Sequence, residues 1–275
     1  MMSPGRPAAL ASLFREDASL SESIQWLQSV YLKRLEGDEQ ASELEKLVLR
    51  ILADGLLPEG MTVEKVDSTG LWVTTPEGRS VALTELSDGY RTVTGLVLDL
   101  VRQVFVENGG AIPTDGDDNR VAITQDGVVL IDEIDVHLHV SWQRRIGFWL
   151  KEHFPNIQFI VTTHSPFICQ AVDPGGLVRL SPPWEEGPAA EIVEGETFNR
   201  VVNGSTDDAL LTDLFGLDTT ISDRANDTRA RIAQLEARAV LDELDEAGLK
   251  ELQRLRSFAP TSPTAVADVA RRGNS

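Results

Sequence analysis

The chain is 275 residues long with 41% apolar content, sufficient for one large domain or two small ones around a buried core. Its 44 Asp and Glu outnumber 25 Lys and Arg, a formal charge of -19 whose sign opposes broad contact with a polyanion, so nucleic acid is expected only indirectly, through another chain. A single cysteine, Cys169, rules out an intramolecular disulfide and a cysteine zinc site, while the lack of a long apolar run or a signal pattern points to a cytoplasmic chain with no membrane partner.

Residues 1–19, rich in Pro, Ala and Ser, show no sustained period and are expected to be loosely attached. From Ser21, Ile24, Leu27, Val30 and Tyr31 recur at helical spacing, as do Leu44, Leu47, Val48, Ile51 and Leu52, predicting two helices joined near Gly37. Between Met61 and Leu86 the period turns strand-like, and 71–75 and 80–86 flank the turn Pro76-Glu77-Gly78 as a hairpin. A helix over 88–105 aligns Val93, Leu96, Val97, Leu100, Val101 and Val104, and a loop rich in Gly and Asp follows over 108–119. Apolar strands at 128–132 and 158–163 then alternate with a helix over 141–152 and a further short one, the pattern of a parallel sheet covered on both faces. Strands at 177–180 and 191–194 would extend that sheet. After Gly204 the chain turns helical, with an amphipathic pair broken near Gly248 and a tail after Pro260. The expected fold class is α/β, a mostly parallel sheet with flanking helices and helical additions at both ends.

Chemistry concentrates between Leu86 and Pro166. Val128-Val129-Leu130-Ile131 runs into Asp132-Glu133, two adjacent carboxylates where a parallel strand leaves the sheet, the edge at which open α/β sheets bind ligands. One carboxylate there can hold a hydrated Mg²⁺ and the next can orient or deprotonate water, although an apolar strand ending in Asp-Glu can equally be structural. The next strand ends in Thr162-Thr163-His164-Ser165-Pro166, which puts an imidazole on the same edge, in reach of a terminal phosphate or an attacking water. In Leu86-Ser87-Asp88-Gly89-Tyr90, Ser87 or Asp88 can cap the helix that follows, and the small Gly89 would let an anion reach its backbone N–H groups. Asp135, His137 and His139 form D-x-H-x-H, which could be taken for a metal site, but no third clustered ligand is evident. Trp142 and Trp149 read as core or interface residues.

In this order, LSDG before a helix, LIDEID on a strand and TTHSP on the next resemble the signature, Walker B and switch-histidine motifs of ABC-type ATPases. HLHVSWQRRI and FPNIQFIVTTHSPF are similar to the bacterial group related to RecF, SMC and OLD proteins, often labelled AAA-type. The resemblance covers roughly residues 81–217, with Tyr90 and Val140 departing from common family residues. It implies the C-terminal part of a P-loop NTPase head of the ABC kind, incomplete because no G-x-x-x-x-G-K-[ST] occurs in the chain. It further implies ATP and Mg²⁺ as cofactors, Asp132 as the metal partner, Glu133 as the catalytic base and His164 as the γ-phosphate sensor. Asp135 would begin the D-loop that communicates between heads. Ser87 and Gly89, with Asp88 between them, would close over ATP in trans across a head-to-head homo- or heterodimer.

On this reading residues 1–60 are a helical N-terminal segment, 61–217 the ABC-type ATPase core, 218–260 a C-terminal helical pair and 261–275 a tail. The implied function is Mg-dependent attack of water on the γ-phosphate, with the P-loop supplied by another chain or by an N-terminal part, and with no activity expected alone. The alternative is a non-catalytic dimerisation module that completes a partner's ATP site in trans, against which the retention of Glu133 and His164 speaks. An OLD-like nuclease would need a carboxylate constellation that the residues after Pro166 do not present.

Overall fold

Helices α1 (Glu16–Leu35) and α2 (Glu39–Ala53) turn about Gly37, whose φ of 91° suits a residue without a Cβ. Asp38 starts α2, its carboxylate accepting the Ala41 N–H at 3.1 Å. Leu27 and Val30 of α1 and Leu44, Val48, Ile51 and Leu52 of α2 are buried, as their helical spacing predicts. The computed structural model describes residues 16–57, 60–116, 121–185, 187–241 and 243–258. The expectations for residues 1–15 and for the tail lie outside the described residues.

The predicted hairpin is part of a three-stranded antiparallel sheet, β1 (Thr62–Asp67), β2 (Gly70–Thr74) and β3 (Ser80–Ala82). β3 ends at Ala82 rather than Leu86, because a 3₁₀ turn over Leu83–Glu85 swings Leu83 into the core at 1% exposure. Helix α3 (Asp88–Glu107) follows, packs on α1 and α2, and buries Val93, Val97, Leu98, Val101 and Val104. The expected loop after it contains a short strand, β4 (Thr114–Gly116), antiparallel to β5 (Val121–Ile123).

The centre is the parallel pair β6 (Gly127–Ile131) and β7 (Ile157–Val161), with Leu130 opposite Ile160. The helix expected between them is two, α4 (Val140–Gln143) and α5 (Ile146–His153). The break at Arg144 and Arg145 lets Trp142 meet Tyr90 edge-on at 6.4 Å while Trp149 stacks on His153 at 4.0 Å. Helix α6 (Pro166–Cys169) follows β7. Strands β8 (Val178–Leu180) and β9 (Ala190–Ile192) do not extend β6–β7 as expected. They pair with each other, closed by Ser181 N–H on Ala189 O at 3.0 Å, because so short a return can only be antiparallel. The class is α/β, with the parallel ladder confined to β6–β7 among the described residues.

Helices α7 (Gly195–Val202) and α8 (Thr206–Leu210) lead to the boundary between two compact units, Met1–Ala209 and Leu210–Ser275. In the second unit α9 (Asp223–Val240) and α10 (Glu246–Phe258) bury Leu235 and Leu252 and are joined by the ion pairs Arg231–Glu251 and Arg256–Glu236. The break precedes Gly248, which sits in the first turn of α10 with its N–H on the Asp245 carboxylate at 2.8 Å. Among the described residues no helix is long and apolar enough to cross a membrane.

Candidate functional site

Parallel pairing brings the ends of β6 and β7 side by side, and two threonine hydroxyls fasten them. Thr162 Oγ1 donates to Asp132 Oδ1 and accepts the Glu133 N–H at 2.7 Å. Thr163 Oγ1 donates to Asp135 Oδ1, which also accepts the His164 N–H at 3.2 Å. Asp132, Glu133, Asp135 and His164 thus share one edge, with Asp132, Glu133 and His164 exposed. Backbone bonds from Thr162 N–H to Ile131 O at 3.0 Å and from Ile134 N–H to Thr162 O at 3.1 Å carry the ladder past the strands.

The loop after Glu133 folds on itself. Val136 N–H reaches Glu133 O at 2.9 Å and Leu138 N–H reaches Asp135 O at 3.1 Å, while Ile134 and Leu138 anchor in the core. Glu133 and His137 adopt left-handed backbone, φ 48° and 64°. Gln143 holds the turn from the helix side, donating to Leu138 O at 3.0 Å and accepting from Ser165 Oγ at 2.7 Å. His139 caps α4, its Nδ1 accepting the Ser141 N–H at 3.3 Å, so the D-x-H-x-H segment is organised by backbone caps and turns. Among the described residues no group of three or more His, Cys, Asp or Glu is placed to hold a metal ion.

Ser87, Asp88 and Gly89 lie against the far side of this loop. Ser87 occupies the N-cap position of α3 without a side-chain cap bond, and Asp88 pairs with Arg91, so neither caps the helix as expected. That guanidinium, with a smaller contribution from His137, holds the Asp88 carboxyl below the usual carboxylate range. Gly89 also packs tightly: a Cβ there would stand 2.7 Å from His137 O. A cavity of about 40 Å³ remains between Ser87, Gly89, Tyr90, His137, His139 and Trp142, and it shares no residue with an open hollow of about 720 Å³ at α7 and α8. Trp142 and Trp149 are both buried, Trp149 donating its indole N–H to Asp54 O at 2.7 Å.

Sequence reading placed the four edge residues but assigned no role to Thr162, Thr163 or Gln143. The polar type of the two threonines at a strand end was visible, while their carboxylate partners 28 to 30 residues away, and the Ser165 partner of Gln143 22 residues away, were not. A family model described as "AAA domain, putative AbiEii toxin, Type IV TA system" matches residues 12–170, more than half of the chain. The chain belongs to this AAA-domain family. This AAA-domain chain is similar to the "Retron Ec83 probable ATPase" of Escherichia coli, with which it is 44% identical over 95 residues (34% of this chain, 16% of that protein). It is 27% identical over 192 residues to the Septu protein PtuA of Bacillus thuringiensis (67% of this chain, 46% of that protein). The chain therefore spans less than half the length of these curated relatives. Among solved structures, a chain from work on ATP-driven dimerization and DNA-stimulated activation of SMC ATPases aligns loosely with the AAA-domain chain. Its TM-score is 0.37 at 20% identity, over 60% of this chain and 88% of its own.

Proposed function

We propose that the chain supplies the hydrolytic edge of an ATPase head: Asp132, Glu133 and His164 act on ATP whose phosphates are cradled by a P-loop outside these 275 residues. The observation that carries this reading is the hydroxyl clamp, in which Thr162 and Thr163 fix Asp132, Glu133, Asp135 and His164 on one sheet edge. Asp132 accepts from Thr162 through one carboxylate oxygen and is exposed, which suits Mg²⁺, an ion that keeps most of its waters and needs only one or two carboxylates. When bound, the metal would neutralise charge on the transferred phosphoryl group.

Glu133, next along the chain, stands on a left-handed backbone and is exposed, as a base orienting water requires. His164, held through its backbone N–H, hydrogen-bonds the γ-phosphate or that water. Asp135, already committed to Thr163 and His164, sets the position of the histidine rather than touching nucleotide. Ser87, Asp88 and Gly89 contribute from the opposite head of a head-to-head dimer, and the packing of Gly89 beneath His137 ties their position to the same loop. This reading keeps the head within a larger assembly, in the cytoplasm, without direct contact to nucleic acid.

The test is equilibrium ATP binding with Mg²⁺ to the purified chain, alongside Asp132→Ala and Glu133→Gln. The chain alone binds more weakly than about 1 mM, because backbone N–H groups and a lysine that would hold the β- and γ-phosphates are missing. Micromolar binding with slow turnover, lost in Asp132→Ala, would overturn the need for an external P-loop. Once a P-loop polypeptide is present, Glu133→Gln retains ATP and loses turnover; unchanged turnover would remove Glu133 from the mechanism.

A further inference from the structure

His164 stands between two hydrogen-bonded neighbours, and their bonds run back to one side chain on another element. Thr163 Oγ1 donates to Asp135 Oδ1 and accepts the Ser165 N–H at 3.0 Å. Ser165 Oγ accepts the Phe167 N–H at 3.3 Å and donates its own proton to Gln143 Oε1 at 2.7 Å. Gln143 Nε2 in turn donates to Asp135 O at 3.3 Å and to Leu138 O at 3.0 Å. Asp135, Thr163, Ser165 and Gln143 therefore close a ring of hydrogen bonds, which the His164 N–H joins at Asp135 Oδ1. Position 143 calls for an amide, because two carbonyl oxygens need a donor on one atom while a hydroxyl proton needs an acceptor on the other. Ser165 is buried and Gln143 half-buried, so water competes little for these bonds.

We propose, building on the ATPase reading above, that Gln143 is a positioning residue, which sets where His164 stands relative to Asp135 and so where the histidine meets the γ-phosphate. Three parts of the chain meet at this side chain. Gln143 ends α4, Asp135 and Leu138 belong to the loop after β6, and Ser165 opens α6 after β7. The β6–β7 pairing itself ends at Ile131 and Val161, and from there side-chain bonds take over the alignment. Removing Gln143 takes an acceptor from Ser165 and a donor from Asp135 O and Leu138 O, so the ring opens toward both strands at once. Trp142, beside Gln143 on α4, meets Tyr90 of α3 edge-on, which ties the ring to the helix that Ser87 and Gly89 open. Gln143 commits its amide to these three bonds and acts on nucleotide only through His164.

Amide hydrogen exchange of the full chain, read residue by residue by NMR, tests this at Leu138, whose N–H bonds Asp135 O at 3.1 Å, and at His164. Gln143→Met keeps the length of the side chain and removes its three bonds. Both amides then exchange faster by about tenfold or more, while Val101 in the buried face of α3 keeps its native rate. Gln143→Glu separates the two halves. Its Oε1 still accepts from Ser165 while its other oxygen faces two carbonyls, so Leu138 exchanges faster and His164 returns to within about twofold of native. Ser165→Ala does the reverse, speeding His164 and leaving Leu138 unchanged. Native rates at both amides in Gln143→Met overturn the proposal, as does a rise that includes Val101 or is the same in the Met and Glu variants, the behaviour of a merely structural residue. Exchange needs no nucleotide, which separates the two claims. The expected pattern, with turnover beside a P-loop polypeptide unchanged in Glu133→Gln, sinks the ATPase reading alone; native exchange with that turnover lost sinks the positioning role alone.

Discussion

Gly89→Ala sets two effects of opposite sign against each other. In the first turn of a helix, Ala is favoured over Gly by about 0.5 kcal/mol on propensity. The new Cβ, however, would sit 2.7 Å from His137 O, 3.7 Å from its carbonyl carbon and 3.8 Å from His139 N. An ordinary carbon-to-carbonyl-oxygen contact is about 3.3 Å, so one backbone must retreat by about 0.6 Å. Neither gives easily: Gly89 is fixed in α3, and the loop is pinned by buried Ile134 and Leu138. Overpacking of this kind costs about 1–3 kcal/mol, and the net loss is about 0.5–2.5 kcal/mol. For a unit of this size that lowers the melting temperature by about 1–10 °C. Thermal denaturation followed by circular dichroism reads it, with Gly127→Ala, where a Cβ meets nothing within 4 Å, as the control. A rise in melting temperature for Gly89→Ala, the sign that propensity alone gives, would refute the packing of the loop on α3.

Asp135→Ala leaves the Thr163 hydroxyl and the His164 N–H without their shared acceptor, and urea denaturation should show a loss of about 1–3 kcal/mol. Asp135→Asn, which keeps Oδ1, should lose clearly less; equal losses would mean that the carboxylate acts by charge rather than by these bonds. For Cys169, burial and then the nearby Asp135 push the thiol up from 9.0 to about 11, so at pH 8 the native thiolate is scarcer by about 100-fold. Iodoacetamide should label Cys169 slowly in the folded chain and at the free-thiol rate in urea. Because the folded value is raised, the associated stability is intact below pH 9 and is lost as pH rises toward 11. Fast labelling of the native chain at pH 8 would count against the buried placement.

What the sequence disclosed and what it hid follow from the range of the interactions. β6 and β7 were legible because uninterrupted apolar runs bounded by polar residues leave few alternatives, and α3 because its buried residues recur at helical spacing. β1 was not singled out, since Glu64 and Lys65 break its alternation at a bulge between Val63 and Lys65. β4, the tripeptide Thr-Asp-Gly, has no strand preference of its own and exists through pairing with β5. Gly248 read as a breaker because glycine disfavours helix interiors, yet Asp245 caps its N–H in a first turn where that penalty is small. At the site, Asp132, Glu133 and His164 announced themselves by type and order, but the clamp that aligns them did not. Thr162 and Thr163 become clamps only when the parallel register places them beside carboxylates on another strand.

The left-handed backbone at Glu133 sets stability and chemistry at odds in one residue. A side chain with φ 48° costs about 1 kcal/mol that glycine would not incur. A redesign guided by melting temperature alone would therefore choose glycine at 133 early, and the improved variant would have shed the carboxylate on which the proposed hydrolysis depends. Selection for a hardier chain and selection for turnover would separate at this position first, so a stabilised library sorted on both would report which of the two the fold serves there.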